Sequence, residues 1–514
     1  MKHKKRWLLL GTACLGLTLL TSMNTALARH HHTDSSQQEA SGSRVIAIDM
    51  PEKQTDTSKA DTSNAQQTVS AEELVRAAEE AAAKEEAAEK QKAEEAAAKK
   101  AAEEKARAEA AKKAKETVKA DSAKSAAAAQ TEISSVRIEW PVVTGAVQYQ
   151  LVLLSSVEDT PSDIVLTKDH IYTNGITLNL GLYGRTAKDF YWKVCPLDYN
   201  QHAIAPFSTP RPLTDGTVLN PQAPQPTTEF TAMDYAPVYP VYSWIPLAGC
   251  MHHEVQVFYE NIGSDELVTT LQAGQYDVYD ERAYTRPGSY YWHVRAVAED
   301  GTPISDWSER SSFTVTHSVT FAALGDSITH GGGVISVPPG YTRYNWETYA
   351  GVPVKNIGFS GDTTEAMLER FDKDVLPFMP KVLVIMGGVN DYRLSTLGWR
   401  TVQHLTEIKK KCDAYGIIPV FVTPTPINPY LMVHRAGIES PYPDWWKHQE
   451  YVKDWVMRQK YHVDVASALT DSNHELRADY TTDGLHPDYE GKKYIGETIG
   501  NYLKANFAWL LPNS

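Results

Sequence analysis

Three observations predict a multidomain chain: strands alternating with helices after residue 318, two Trp-bearing segments before it that repeat one another, and a long Ala/Glu/Lys tract nearer the amino terminus. The alternation predicts an α/β unit with a parallel sheet, the repeats predict two antiparallel β-sandwiches, and the tract predicts a lone helix. A length of 514 residues accommodates them, since such a chain divides into roughly three or four domains.

The chain opens with the basic Met1-Lys-His-Lys-Lys-Arg6, followed by apolar Trp7–Leu20 and the small-x-small site Ala26-Leu27-Ala28. That order reads as a secretory signal peptide over 1–28. Thr21, Ser22, Asn24 and Thr25 spoil the second half of a ~20-residue span and disfavour an uncleaved anchor. A membrane contact would require that anchor. Cys14 does not sit in a lipobox, because Gly11 stands where a Leu-like residue belongs. Removal of the four basic side chains of this segment would move the formal charge from −14 to −18. No basic tract remains in the globular part, which excludes nucleic acid as a partner.

Residues 29–70 are rich in Ser, Thr, Gln and Asp, lack hydrophobic periodicity and are expected to be disordered. From 71 to 128 the chain is dominated by Ala, Glu and Lys, with acid-to-base pairs four apart at Glu80–Lys84, Glu86–Lys90, Glu95–Lys99 and Glu109–Lys113. Each pair contributes only ~0.2–0.5 kcal/mol, added to high intrinsic helix propensity. Large apolar residues (Leu74, Val75, Val118) occur only at the ends, so no coiled-coil seam forms. The tract therefore predicts a solvated single helix, roughly 70 Å long over 71–119, acting as a spacer.

Segments 132–216 and 227–317 repeat a pattern. Glu139-Trp140-Pro matches Ser243-Trp244-Ile-Pro, and Phe190-Tyr-Trp-Lys-Val194 matches Tyr290-Tyr-Trp-His-Val294. Short alternating runs at this spacing predict β-sandwiches, joined by the stiff Pro221–Pro226 linker. The two segments resemble fibronectin type III modules. The resemblance implies that the early Trp packs in the core opposite the Tyr-Trp-x-Val strand.

In 318–514 the expected strands are Val319–Leu324, Val352–Ile357, Lys381–Met386, Pro419–Thr423 and Val463–Ala466. Helical stretches at 363–372, 399–415, 447–459 and 488–505 intervene. Ligands of such sheets bind at the carboxyl ends of the strands. Gly325-Asp326-Ser327 follows the first strand, Asn356–Thr363 the second and Gly387-Gly-Val-Asn390-Asp391 the third, while Asp483-Gly-Leu-His486 lies in a late loop. A serine hydroxyl becomes nucleophilic only when an imidazole can take its proton and a carboxylate holds that imidazole in the right tautomer.

These four motifs, in this order, resemble the SGNH hydrolase (GDSL esterase) superfamily over about 195 residues. The resemblance implies a three-layer, flavodoxin-like α/β domain and a serine esterase working without cofactor. It makes Ser327 the nucleophile, His486 the general base and Asp483 its orienter. The backbone N–H of Ser327, the N–H of Gly361 and the side-chain amide of Asn390 would form the oxyanion hole. His330-Gly-Gly-Gly333 looks like the oxyanion loop of α/β-hydrolases, but no Gly-x-Ser-x-Gly elbow occurs; the glycine run reads instead as a flexible loop at the cleft. Asp326 and Asp391 are expected to hold loops rather than act as acids.

His404, His434, His448 and His474 lack ligand spacing and no His-Glu-x-x-His occurs, so no metal is implied. Cys195, Cys250 and Cys412 fall in three different modules and read as small apolar residues rather than a disulfide framework. Tyr341, Tyr344, Trp346, Tyr349, Tyr430, Tyr442, Trp445 and Trp446 are either sugar-stacking platforms or packing. The combined expectation is an exported esterase acting on a short acyl ester, acetyl foremost, of a small molecule or a glycan such as a cell-wall polysaccharide. Acyl transfer by the same residues is the alternative, and an adhesive envelope protein with an idle hydrolase domain is the reading from another class.

Overall fold

The structure is a computed structural model and describes residues 135–143, 145–183, 186–198, 201–333 and 337–511. The signal segment, the Ser/Thr-rich stretch and the Ala/Glu/Lys spacer lie outside the described residues.

The first β unit contains β1 (Ser135–Glu139), β2 (Gln148–Leu154), β3 (Ile164–Ile171), β4 (Gly175–Asn179), β5 (Tyr191–Leu197), β6 (Arg211–Pro212) and β7 (Val218–Leu219). They form two sheets ordered β4-β1-β7 and β3-β2-β5-β6. The second unit comprises β8 (Gln225–Pro226), β9 (Val241–Ile245), β10 (His252–Tyr259), β11 (Glu266–Ala273), β12 (Asp277–Tyr279), β13 (Gly288–Val297) and β14 (Ser311–Val315), ordered β12-β9-β8 and β11-β10-β13-β14. The sequence repeat corresponds to a repeated order in the four-stranded sheets, while in the three-stranded sheets the strand beside β1 is the last of its unit and the strand beside β9 the first. Trp192 opposes Leu153 and Trp292 opposes Val257, each in an antiparallel ladder. Trp140, Trp192, Trp244 and Trp292 are all buried, since an indole carries a large apolar area into the space between small sheets.

The C-terminal domain is a five-stranded parallel sheet of β15 (Phe321–Gly325), β16 (Val354–Gly358), β17 (Val382–Met386), β18 (Ile418–Val422) and β19 (His462–Val463), in the order β16-β15-β17-β18-β19. Its helices are α1 (Ser327–His330), α2 (Thr364–Asp374), α3 (Val389–Arg393), α4 (Gly398–Tyr415), α5 (Pro429–His434), α6 (Trp445–Met457), α7 (Ala466–Leu469) and α8 (Tyr489–Asn506). Alternate strand residues serve opposite faces. Ala322, Leu324, Leu383, Ile385 and Phe421 pack with Met367 and Phe371 of α2, Leu405 and Ile408 of α4, and Val452 of α6. Phe321, Ala323, Val382, Val384 and Val420 pack on the other side with Trp346 and with Ile495, Ile499 and Leu503 of α8. The result is three layers. In α4, Thr401, Leu405, Ile408 and Cys412 are buried at helical spacing, which is why that stretch coils and turns this face inward. On α8, Gly496 and Gly500 let the carbonyls of Trp346 and Ala350 approach where a Cβ would collide.

The last strand is shorter than the sequence predicts. Thr423 Oγ1 accepts the N–H groups of both Val465 and Ala466 at 2.9 Å, and Asp464 Oδ1 accepts the Ser467 N–H. Those bonds divert the backbone into α7 instead of extending β19. The glycine run Gly331–Gly333 is also unlike the flexible loop expected of it: all three residues are buried, packed against Asn345, Val337 and Tyr344. Among the aromatics, Tyr341, Tyr344, Trp346 and Trp445 are buried and serve packing, Tyr349 is half-buried, and Tyr430, Tyr442 and Trp446 are exposed.

One apolar core runs from the second β unit (Phe230, Trp244, Trp292, Phe313) into the α2-side face of the parallel sheet. Truncating Trp292 to Ala is expected to cost about 3–5 kcal/mol, as for other buried large-to-small changes. Denaturant unfolding followed by tryptophan fluorescence and by circular dichroism should show a lower midpoint for the whole body, with both probes coincident. Separate transitions with an unmoved second midpoint would contradict a shared core.

Candidate active site

Parallel strands place all their carboxyl ends on one edge, and register decides which loops meet there. Gly325 stands level with Gly358 on one side and Met386 on the other. Ser327, Gly361 and Asn390 therefore lie two, three and four residues beyond the ends of three adjacent strands. Asp326 caps α1 through Oδ1, which accepts the Ile328 N–H at 2.9 Å, so Ser327 opens the helix.

The turn at 481–488 carries the other two groups. Asp483 is fully buried, and its Oδ1 accepts the N–H groups of Leu485 (2.8 Å) and His486 (2.7 Å). Gly484 sits at φ +80° with its position crowded by the Asn428 carbonyl and Met432 N–H, a place only glycine fills without strain. This tight turn brings His486 Nδ1 to 2.8 Å from Asp483 Oδ2, and His486 Nε2 to 3.0 Å from Ser327 Oγ. A carboxylate only accepts, so Nδ1 carries the proton and Nε2 is left as acceptor for the serine hydroxyl. Burial works to raise the Asp483 pKa, but the His486 imidazole and the N–H donors outweigh it and hold this carboxyl below its ordinary value.

The Asn390 amide is held at both ends. Arg393 Nη2 donates to its Oδ1 at 3.3 Å, and its Nδ2 donates to the Asp362 carbonyl at 2.9 Å, which leaves a second N–H on Nδ2. Asp391 accepts the Thr364 N–H at 2.8 Å and hydroxyls of Thr364 and Thr401, fastening the loop after β17 to the start of α2. Asp326 and Asp391 thus hold loops. Beneath α1, buried Lys492 donates from Nζ to the Ile328 carbonyl at 2.6 Å; burial lowers its pKa to about 8 against the raising influence of Glu347, Asp326 and Asp483.

The structure brings together every site residue expected from sequence: Ser327, Asp483 and His486, with Gly361 and Asn390 on the neighbouring loops. Sequence reasoning missed Arg370, Arg393 and Lys492, none of which lies in a motif block, and took His330 only as the head of a glycine run. His330 closes α1, donating from Nε2 to the Tyr239 carbonyl and receiving Ser360 at Nδ1. His404 contacts the Thr364 hydroxyl at 3.1 Å and His448 accepts the Gly398 N–H, so both tie helices rather than face the cleft. Cys195, Cys250 and Cys412 are free thiols.

A half-buried serine and histidine, hydrogen-bonded in line to a buried aspartate, thus stand at the carboxyl edge of a 2-1-3-4-5 parallel sheet. Residues 323–494 match the family model of the GDSL-like lipase/acylhydrolases, and the C-terminal domain is a domain of that family. An uncharacterized lipoprotein of Bacillus subtilis is 36% identical over 80 residues, a match covering 14% of this chain and 33% of that protein, so only about a third of the relative's length is spanned. Solved structures similar to this chain include a GDSL-like lipase from Bacteroides thetaiotaomicron (20% identical, covering 37% of this chain and 90% of that one, TM-score 0.30). A lipase/acylhydrolase from Enterococcus faecalis is 22% identical (36% and 96% covered, TM-score 0.29). A catalytic mutant of an acetylxylan esterase from Geobacillus stearothermophilus is 16% identical (39% and 99% covered, TM-score 0.29).

Asp326 supplies a pH test. Its pKa is pushed up to about 7, chiefly by burial and against the Ile328 N–H and His486. A carboxyl whose folded pKa lies above its unfolded value stabilises the fold below the unfolded pKa, near 4, and loses that contribution as pH rises toward 7. Asp326→Asn keeps the cap but has no charge to bury. Its melting temperature should match wild type near pH 4 and exceed it by a few degrees (~2–5 °C) at pH 8; parallel pH curves for the two proteins would refute the assignment.

Proposed function

We propose that this chain is a serine esterase that cleaves a short-chain ester, acetyl foremost, through an acyl-Ser327 intermediate. One observation carries the reading: the continuous chain Ser327 Oγ–His486 Nε2 at 3.0 Å and His486 Nδ1–Asp483 Oδ2 at 2.8 Å. Ser327 Oγ attacks the ester carbonyl carbon while its proton passes to His486 Nε2. Asp483 stabilises the imidazolium so formed without taking the proton. The carbonyl oxygen, now an oxyanion, is met by the N–H groups of Ser327 and Gly361 and the free N–H of Asn390. Collapse expels the alcohol, protonated by His486, and water repeats the sequence on the acyl-enzyme.

We place the substrate on a carbohydrate or a cell-wall glycan. Supporting this are the secretory character of residues 1–28, the absence of a long apolar lid in the sequence, and the exposed rings of Tyr430, Tyr442 and Trp446. The two β units are proposed as fibronectin type III-like modules of an exported protein; the support is the shared strand order of their four-stranded sheets and their buried Trp residues.

With p-nitrophenyl acetate, Ser327→Ala should lose at least ~10³-fold in kcat, and wild-type turnover by this variant would end the esterase reading. Asn390→Ala should lose ~10²–10³ in kcat with KM little changed. Asn390→Asp should be slower still, because it sets a negative charge against the oxyanion. A panel of acetylated xylan, pectin and peptidoglycan, scored by released acetate, decides the polymer: release from none of them would remove the glycan from the proposal.

A further inference from the structure

The loop Ser360-Gly361-Asp362 is gripped on both flanks by groups that lead back to one residue of the second β unit. Upstream, His330 Nδ1 accepts the Ser360 N–H (3.2 Å) and hydroxyl (2.9 Å), while Nε2 donates to the Tyr239 carbonyl (2.7 Å). Burial lowers the His330 pKa to about 4, in keeping with the neutral ring this pattern requires. Downstream, Arg370 Nε donates to Asp362 Oδ2, and Arg370 Nη1 reaches Asp374 Oδ2 at 3.1 Å. The same Asp374 oxygen accepts the Tyr239 hydroxyl at 2.6 Å. Arg370 Nη2 also donates to the Gly325 carbonyl at 2.9 Å, two residues before Ser327. The Tyr239 ring meets Phe359 edge-on, with centroids 4.6 Å apart.

Tyr239 itself is anchored. It lies on the segment leading into β9, which is tied to the edge strand β16 by Val238 N–H to Asn356 O (3.0 Å) and by Lys355 Nζ to Ala236 O (2.6 Å). Tyr239, His330, Asp362 and Asp374 are all buried. In such surroundings a charged network tolerates little displacement, because a lost partner leaves an uncompensated charge. The Asp362 carbonyl also receives Asn390 Nδ2, so a shift of this loop would displace two of the three proposed oxyanion donors together.

We propose that Tyr239 is a positioning residue for the oxyanion hole, its carbonyl acting through His330 and its hydroxyl through Asp374 and Arg370, which makes the second β unit a working part of the catalytic domain. This rests on the assignment of Gly361 and Asn390 as oxyanion donors. Donors of that kind act mainly on the transition state, and misplacing them lowers kcat rather than raising KM.

The test uses the full chain and p-nitrophenyl acetate. Tyr239→Phe keeps the ring on Phe359 and removes only the hydroxyl arm; kcat should fall about tenfold with KM within about twofold of wild type. Asp374→Asn should reproduce the loss, and the double variant should be no slower than the slower single one. Tyr284→Phe is the structural control: Tyr284 is equally buried in the same β unit and donates to Asp280 Oδ2 at 2.7 Å, with no bond to the loop. It should leave kcat unchanged. If Ser327→Ala is inactive but Tyr239→Phe retains wild-type kcat, or Tyr284→Phe loses as much, the positioning role is overturned and the esterase reading stands. If Ser327→Ala turns over like wild type, both fall.

Discussion

The parallel register of β15 between β16 and β17 is the constraint on which the site depends. Hydrogen-bonded strands running in one direction must end on one edge, and Gly325 is level with Gly358 and Met386. Three loops therefore begin within a few ångströms of one another before any side chain is considered, since strands lie about 4.8 Å apart. The serine, the glycine N–H and the asparagine amide need only short excursions from that edge. The histidine and its aspartate arrive from a late loop just before α8, and α8 is fixed by packing the far face of the same sheet.

Rigid loops follow from the same economy of backbone. Asp326, Asp391 and Asp483 are buried carboxylates whose hydrogen bonds fasten turns, yet they differ in chemical consequence. Asp483 faces an imidazole and is held ionised, so it can stabilise positive charge on His486. Asp326 has its pKa pushed up by burial, with the charge of Asp362 adding to it, and the Ile328 N–H and His486 do not offset the rise. Environment rather than residue type separates the two.

Much of this was legible in the linear text. The five strands of the parallel sheet and its four long helices lie within a few residues of where hydrophobic patterning puts them, because buried parallel strands are rich in apolar residues, β16 with Lys355 and Asn356 being the least so, and amphipathic helices repeat at 3.6. The strand at 463 was overestimated, since Thr423 redirects its backbone from 42 residues away. The glycines after His330 look like a mobile loop in sequence, yet Asn345 and Tyr344 close over them. Half of the aromatic cluster turned out to be packing, a distinction that depends on which neighbours arrive and not on the residues themselves.

The sequence alone determined the chemical groups and their order: a hydroxyl, a glycine, an amide and a carboxylate three residues before an imidazole, each next to a strand end or in a late loop. That information is local, because a turn's chemistry and a strand's periodicity are written within about ten residues. Only the tertiary structure decided that Arg370 spans from the Gly325 carbonyl to Asp362, and that Tyr239, more than a hundred residues from its Asp374 partner, reaches the same loop. Such contacts depend on how separately folded surfaces meet, and a buried charge finds its partners in space, whatever their distance along the chain.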